Sequence, residues 1–225
     1  MLRITRHLLL TATIAGGTLT AAAVAPPGME LDRVSLTLSW LCLLLFAAAL
    51  LVGPIYALRT GRITTNHLPR RDLGIWCALT GLAHLAISFK ISMTPIYMQI
   101  YVDGASAWPG PEVRREMYKW AVLGSLAIAA LFVLLLALSN NFSLRRLGPV
   151  WWKRLQRSGY AAFGLTVAHG IAFQIIESRS VWLVTALALL TATVVAGQLA
   201  GRARLRAGGL RTPERTSPAS GPGTR

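Results

Sequence analysis

The chain has 225 residues, of which 54% are hydrophobic and only 14% are charged, yet its net charge is +15. This composition, apolar with few charges that are mostly basic and concentrated, is typical of an integral membrane protein and not of a soluble one. The cations flank apolar segments and are not interleaved with aromatic residues, which argues against nucleic-acid binding.

Six apolar segments of about 20 residues are each long enough to cross a hydrocarbon core of roughly 30 Å. They lie at residues 8–25, 34–58, 73–91, 121–138, 158–176 and 181–199. The two longer connections, 59–72 and 92–120, are too short to build a core of their own. We therefore expect an all-α integral membrane protein, a bundle of six transmembrane helices that forms one domain over residues 1–200.

The first apolar segment permits two interpretations. Its charged start, MLRITRHLLL, and its end of small residues, AAAVAPP, are typical of a secretory signal peptide. Cleavage after Ala25 leaves five transmembrane helices. Retention is favoured because the apolar run of about 18 residues is longer than the 7 to 15 usual in signal peptides.

The basic residues predict how the bundle is oriented, because cytoplasmic loops carry an excess of Lys and Arg. With the N-terminus inside, 17 of the 23 Lys and Arg residues fall on the inner side and five on the outer side. Six of the eight acidic residues fall on the outer side. We expect a multi-pass protein in a lipid bilayer, with a cytoplasmic C-terminus.

The C-terminal segment, residues 201–225, is rich in Arg, Gly, Pro, Ser and Thr and has little apolar content. This composition predicts a disordered basic tail. Its arginines suit the anionic inner leaflet of a membrane, either as an anchor or simply as positive-inside charge.

The sequence lacks the motifs of several kinds of cofactor chemistry. The chain contains no CxxC, CxxCH, HExxH, P-loop or GxGxxG motif, so covalent haem attachment, zinc hydrolysis and dinucleotide binding lack support. The two cysteines, Cys42 and Cys77, lie in separate predicted spans. We interpret each as a small hydrophobic residue and not as part of a disulfide framework.

Two histidines lie inside predicted spans, where ionisable groups are costly and usually carry function. His84 is 13 residues after Arg71 and His169 is 12 residues after Arg157, so they have nearly the same depth on the third and fifth spans. Those spans run parallel. One imidazole from each of two rigid helices is what axial ligation of a b-type haem requires. The alternative, a hydrogen-bonded structural histidine between helices, stays open.

Small and hydroxylated residues share a helix face with the two histidines. They suit either a flat macrocycle lying against the backbone or tight helix packing, and a hydroxyl is suited to orient a ring nitrogen. Lys90, further along the third span, is expected to extend its ammonium group toward the outer surface or to contact a haem propionate. The residues that share the faces are Thr80, Gly81 and Ser88 with His84, and Thr166 and Phe173 with His169, to which Gly170 is adjacent.

Two stretches, RRDLGIWCALTGLAHL (70–85) and LALSNNFSLRRLGPVWWKRLQRSGYAAFGLTVAHG (136–170), resemble the ferric reductase-like transmembrane family. The specific features are paired Arg, Leu-Gly, an aromatic residue and His on the third span. On the fifth they are Arg-Arg-Leu-Gly, Trp, Lys-Arg-Leu and a later His. The resemblance is strongest to a small bacterial branch, the haem-binding subunits of periplasmic methionine sulfoxide reductase systems, and it covers the layout of the second to sixth spans.

The resemblance implies a cytochrome b that passes electrons across a bacterial cytoplasmic membrane, with His84 and His169 as the haem iron ligands. It implies a cytosolic flavin reductase or a quinol as donor, with FMN or a quinone as a candidate ligand at the cytoplasmic side. It further implies a periplasmic molybdopterin reductase as acceptor. The family has another histidine 13 residues before the position of His169, where this chain has Gln156. We therefore expect one haem b.

Two classes of function follow. The first is an electron-transfer subunit of an oxidoreductase system, without a nicotinamide or flavin domain of its own. The alternative is a haem-free membrane scaffold or a small transporter subunit. The transporter hypothesis is the weaker part of that alternative, because no acidic residue lies in the middle of a predicted span.

Overall fold

A computed structural model of the chain describes residues 2–63, 68–104 and 108–209. These residues form eight helices, one of them a single turn, and a π-helical turn at Met98–Asp103, and no strand occurs among them. The expected all-α architecture is thus confirmed. The helices are α1 (Leu2–Ala23), α2 (Glu30–Thr60), α3 (Leu68–Ser92), α4 (Pro95–Tyr97), α5 (Pro111–Ala137), α6 (Asn141–Gln156), α7 (Ser158–Ile176) and α8 (Val181–Gly209).

Five helical segments in the described part of the chain are long and apolar enough to cross a membrane. The second to sixth predicted spans fall on them, and α7 has the predicted bounds. The first helix, α1, has 22 residues but is not one of the five, so a six-helix membrane bundle stays a prediction. The five segments are Glu30–Thr60, Leu68–Ser92, Pro111–Ala137, Asn141–Ile176 and Val181–Ala207.

Local sequence explains where several helices end or bend. At the end of α2, Gly61 has a φ of 66°, and its N–H donates to Ala57 O, which closes the last turn. Within α6, Gly148 has a φ of 71° and precedes Pro149, so this helix is bent there. Both turns lie at one end of the bundle, beside the basic connections.

The helix α2 is at the centre of the packing, in contact with α1, α3 and α8, while α5 packs against α3 and α7. The main core contains the Phe46 ring, whose centroid lies 5.8 Å from that of Phe132 and 5.5 Å from that of Phe163, both in edge-on geometry. Such aromatic pairs add to the stability that their burial provides. This core separates the two ends of the bundle.

The basic end of the bundle, where α1 and α3 begin, contains a fully buried carboxylate. Asp72 on α3 receives Arg6 Nη1 at 2.6 Å and Arg3 Nη2 at 3.2 Å, and His7 Nε2 lies at 3.5 Å. Trp76 Nε1 also donates to His7 Nδ1 at 2.9 Å. These contacts hold the start of α1 against α3, so Arg3 and Arg6 have a structural partner and are more than positive-inside charge.

The acidic end of the bundle, where α2 begins and α7 ends, is closed by a small second core. It contains Tyr97, Val102, Tyr118 and Ile176. The Tyr97 hydroxyl donates to Glu177 Oε1 at 2.7 Å. Burial, and next the charge of the Glu177 carboxylate, raise the pKa of Tyr97 well above its ordinary value, so this hydroxyl stays a donor.

A fully buried guanidinium group stabilises the acidic end of the bundle. Arg114 is 2% exposed, and its Nε donates to Pro109 O at 2.8 Å. Its Nη1 donates to Ile176 O and its Nη2 to Ser178 Oγ at 2.9 Å, which joins the start of α5 to the end of α7. Buried charges need such complete hydrogen bonding.

The C-terminal helix is longer than the sequence predicts. The α8 helix continues through Gly209, so the expectation of a disordered tail from residue 201 is wrong for residues 201–209. Helix α8 is held to α2 here, because Gln198 Nε2 donates to Leu50 O at 2.7 Å and Gly201 lies close to Pro54. Residues 210–225 of the tail lie outside the described residues.

Candidate functional site

The two histidines of the predicted spans line one cavity, which we call the histidine cavity. His84 lies on α3 and His169 on α7. Both helices pack on α5 but, within the described chain, they do not pack closely on each other, and the cavity occupies the gap. Its free volume is about 150 Å³, and residues of α2, α5 and α8 complete its wall.

The His84 ring is held by a backbone carbonyl of α2. Its Nδ1 lies 2.9 Å from Ser35 O. The hydroxyls of Ser35 and Ser88 lie 3.0 and 3.2 Å from the same nitrogen and 2.6 Å from each other. Ser88 shares the face of His84 as the sequence indicates, whereas Ser35 comes from a different helix.

The His169 ring is held in the same way by α5. Its Nδ1 lies 3.2 Å from Ala121 O. The Phe173 ring, one turn further along α7, stacks at an angle against the imidazole, with 4.7 Å between ring centroids. The orientation of the ring is therefore fixed by one hydrogen bond and one aromatic contact.

These hydrogen bonds determine the tautomer of each ring. A carbonyl oxygen can only accept, so Nδ1 carries the proton and Nε2 of the neutral imidazole carries a lone pair. In metal-binding histidines the nitrogen that does not bind the metal usually donates to a carbonyl or carboxylate. Both His84 and His169 thus have the arrangement of a metal ligand on the wall of the cavity.

The small residues near the histidines serve packing. A Cβ at Gly81 would lie 2.2 Å from Phe132 Cε2 and 2.9 Å from Cys42 Sγ, so only glycine fits. The hydroxyls of Thr80 and Thr166 bond to carbonyls of their own helices and not to an imidazole. Lys90 is exposed and does not line the cavity.

A buried amide in the histidine cavity has an unused polar atom. Gln174 of α7 is 8% exposed, and its Oε1 has no hydrogen-bond partner among the described residues. Rotation of the amide would present its NH₂ group to the cavity, and that donor suits a carboxylate. Arg179 also lines the cavity, where its guanidinium pairs with the Glu177 carboxylate.

The two histidines of the cavity suit a bis-histidine haem. The free volume of the cavity, however, is smaller than a haem needs. About 150 Å³ is less than the roughly 300–1,000 Å³ of most ligand pockets. A macrocycle therefore enters only if lining side chains such as Phe132 turn aside. The described residues contain no group of three or more His, Cys, Asp or Glu side chains arranged for a metal ion, but axial ligation requires only one residue on each side of the iron.

A second and larger cavity, which we call the arginine cavity, lies at the basic end. Gln156, which replaces the additional histidine of the resembled family, lines it together with Arg70 and Arg71. The sequence places Gln156 level with these two arginines, and the structure brings all three to one cavity. Neither His84 nor His169 lines it.

Sequence reasoning missed several functional candidates. Ser35 holds His84 from α2, and a single serine at the start of an apolar segment gives no signal of that contact. Cys42 and Cys77, interpreted as separate small residues, lie with their Sγ atoms 3.7 Å apart between the two cavities. Asp72 was assigned to the loop between two spans, although a carboxylate five positions into a helix and next to Arg70 and Arg71 is a signal that it has a partner.

Comparison with known proteins adds no further constraint. No protein-family model and no solved structure matches this chain. The case for a function therefore rests on the geometry of the cavities and on the sequence.

Proposed function

We propose that the protein is a membrane b-type cytochrome that carries electrons across a membrane through one haem b. The observation that carries this proposal is the matched pair of imidazoles: His84 and His169 line one cavity from two helices, and each has Nδ1 on a backbone carbonyl and Nε2 left with a lone pair. Two neutral imidazoles are the axial ligands of a low-spin haem.

The residues of the chain bind and orient, and the redox chemistry belongs to the cofactor. A bound haem b supplies an iron that accepts and returns one electron. Ser35 O and Ala121 O fix the two rings, and the amide of Gln174 would donate to an acid group of the macrocycle. His84 and His169 would both bind the iron, and a haem held in this way would leave no site for oxygen and would supply outer-sphere electron transfer.

The proposal places the chain in a bacterial cytoplasmic membrane with its basic end and C-terminus in the cytoplasm. Residues 1–200 then form one ferric reductase-like domain. We include α1 as the sixth membrane helix, because Arg3 and Arg6 neutralise the buried Asp72. Cleavage after Ala25 would leave that carboxylate without these partners, at a high energetic cost.

The donor and acceptor follow from the resemblance and the charge distribution. A cytosolic flavin reductase or a quinol would deliver electrons at the basic end, where clustered cations attract an acidic partner surface or the phosphate of FMN. A periplasmic molybdopterin reductase would take them at the acidic end. The chain itself is proposed as an electron-transfer subunit of such a system.

Absorbance spectroscopy of the purified protein tests the proposal. Expressed with a haem supply, the wild-type protein should show reduced-minus-oxidised bands of a low-spin b-type cytochrome, at one haem per chain. His84→Ala and His169→Ala should each abolish the low-spin spectrum. Thr166→Val is the matched control, because Thr166 lines the same cavity but bonds only to its own helix.

Two results would overturn the proposal. One is a colourless wild-type protein that stays haem-free when haem is supplied, which would favour a scaffold or a transporter subunit. The other is a low-spin spectrum that survives both histidine substitutions.

A further inference from the structure

The arginine cavity has room for a large ligand. Its volume is about 1120 Å³, above the roughly 300–1,000 Å³ of most small-molecule pockets. It lies between α2, α3, α5, α6, α7 and α8 at the basic end. It is thus a separate place in the molecule from the histidine cavity, and nothing said about haem determines what it binds.

The charged side chains on the wall of the arginine cavity all have the same sign. Five cations line it, and none of its lining residues is acidic. Lys153, Arg157 and Arg202 are exposed and Arg70 and Arg71 are half-buried, so the repulsion between these like charges is strongest at the two half-buried arginines, where an anion would offset it. The cations are Arg70, Arg71, Lys153, Arg157 and Arg202.

One of these arginines has an unused donor. Arg71 Nη1 donates to Asn141 Oδ1 at 2.9 Å, but its Nε is buried and has no partner among the described residues. A buried donor of a charged group without an acceptor is costly. An anionic oxygen in the cavity would satisfy Arg71 Nε and offset the repulsion between the cations.

The wall of the arginine cavity is apolar toward the middle of the bundle. Phe46, Leu50, Cys77, Phe132 and Leu135 line the cavity toward the middle of the bundle. The exposed Tyr160 and Arg202 border it on the surface. A ligand that fills this space therefore has an anionic head at the basic end and an apolar body directed along the helices.

We propose that the arginine cavity binds a phosphate ester that is attached to an apolar body. Basic pockets between transmembrane helices are a known kind of site for anionic lipid head groups. A phosphate offers several acceptor oxygens to a group of arginines, whereas a neutral quinone offers no charge. An anionic phospholipid and FMN are two sources of such a phosphate.

Lipid titration followed by native mass spectrometry tests this site. Full-length protein, purified and delipidated in a neutral detergent, is titrated with phosphatidylglycerol and, separately, with phosphatidylcholine. We expect preferential binding of one phosphatidylglycerol per chain. Lys153→Gln with Arg157→Gln should weaken that binding roughly fivefold for each cation removed.

The control is a second double substitution, on α6. Arg145→Gln with Arg146→Gln removes the same charge at the same end, but neither residue lines the cavity. This variant should bind phosphatidylglycerol within about twofold of the wild-type protein, since electrostatic attraction weakens with distance. Thermal unfolding of both variants identifies any that fail to fold, and Arg71→Gln then serves as the second test of the cavity.

A titration of the same protein with FMN distinguishes between the two sources of the phosphate. Stoichiometric FMN binding that competes with phosphatidylglycerol and depends on Lys153 and Arg157 supports the site with a nucleotide as its ligand. The proposal fails if the two lipids bind equally and FMN does not bind, or if both double variants lose affinity equally. None of these measurements needs a redox-active protein, so this site and the cytochrome proposal fail independently.

Discussion

A backbone carbonyl holds Nδ1 of each cavity histidine, and this contact determines the chemistry available to the ring. Ser35 O and Ala121 O each belong to a helix, and a carbonyl oxygen has a second lone pair for the imidazole. The carbonyls cannot rotate away as a serine hydroxyl can. A rigid support for ligand rings is what precise ligation of a cofactor requires.

The ion pairs of Asp72 provide a test, because removing the two arginines should cost more stability than removing the carboxylate. This carboxylate is completely buried, whereas Arg3 and Arg6 are 45% and 31% exposed. We expect Arg3→Gln with Arg6→Gln to lower the free energy of unfolding by about 3–5 kcal/mol, because an unpaired carboxylate stays buried. Asp72→Asn alone should cost about 1–3 kcal/mol, because the freed arginines can turn to water.

Thermal or denaturant unfolding of the purified protein in detergent measures this difference. Adding Asp72→Asn to the double arginine variant should restore part of the lost stability, since the buried charge is then removed. If Asp72→Asn alone is as harmful as the arginine variant, the ion-pair cluster does not hold α1 in the way described.

At the scale of elements, the contact between α2 and α3 can be tested through its two thiols. The Sγ atoms of Cys42 and Cys77 are 3.7 Å apart, and a disulfide needs them at about 2.0 Å, a change that small side-chain rotations supply. We expect a membrane-permeant diazene oxidant such as diamide to take two electrons from the pair and form an intrachain disulfide.

Alkylation under denaturing conditions measures the remaining thiols. The wild-type protein should lose both reactive thiols after oxidation, and reduction should restore them. Cys42→Ala, which retains only Cys77, is the control and should keep its one thiol. Full alkylation of both cysteines in the oxidised wild-type protein would contradict the packing of α2 on α3.

The sequence predicts where the helices lie better than it predicts which side chains contact one another between helices. The length of the apolar segments alone located α2, α3, α5, α7 and α8, because a long apolar segment is the main requirement of a membrane span. Depth counted from Arg71 and Arg157 placed His84 and His169 together, since two parallel helices share one rise per residue. The contacts of Ser35, Cys42 and Asp72 depend on which helix faces are neighbours, and no periodic pattern in one helix encodes that.

At the scale of the whole molecule, the two cavities lie one behind the other along the bundle. The histidine cavity is lined by Asp32 and Glu177 of the acidic end, and the arginine cavity by the cations of the basic end. Phe132 lines both, so its ring is part of the wall between them. In a cytochrome, this order would place a donor bound at the basic end next to the haem, with only side chains in between.

The charge difference between the two ends predicts the orientation of the molecule in the membrane. Cytoplasmic loops carry an excess of Lys and Arg, so the basic end should face the cytoplasm and the acidic end the outside. Two exposed positions report on this, Val113 at the acidic end and Phe142 at the basic end, which are 53% and 62% exposed. Both natural cysteines are buried, at 3% and 2% exposed, so the wild-type chain should react little with a maleimide.

Labelling of intact bacterial cells with a membrane-impermeant maleimide checks the orientation. Val113→Cys should react in intact cells, whereas Phe142→Cys should react only after the membrane is disrupted, and the wild-type chain should stay unlabelled in both conditions. The reverse pattern would place the arginine cavity outside. A cytosolic flavin reductase could then not reach it, and the proposed direction of electron transfer would be wrong even if the haem is bound.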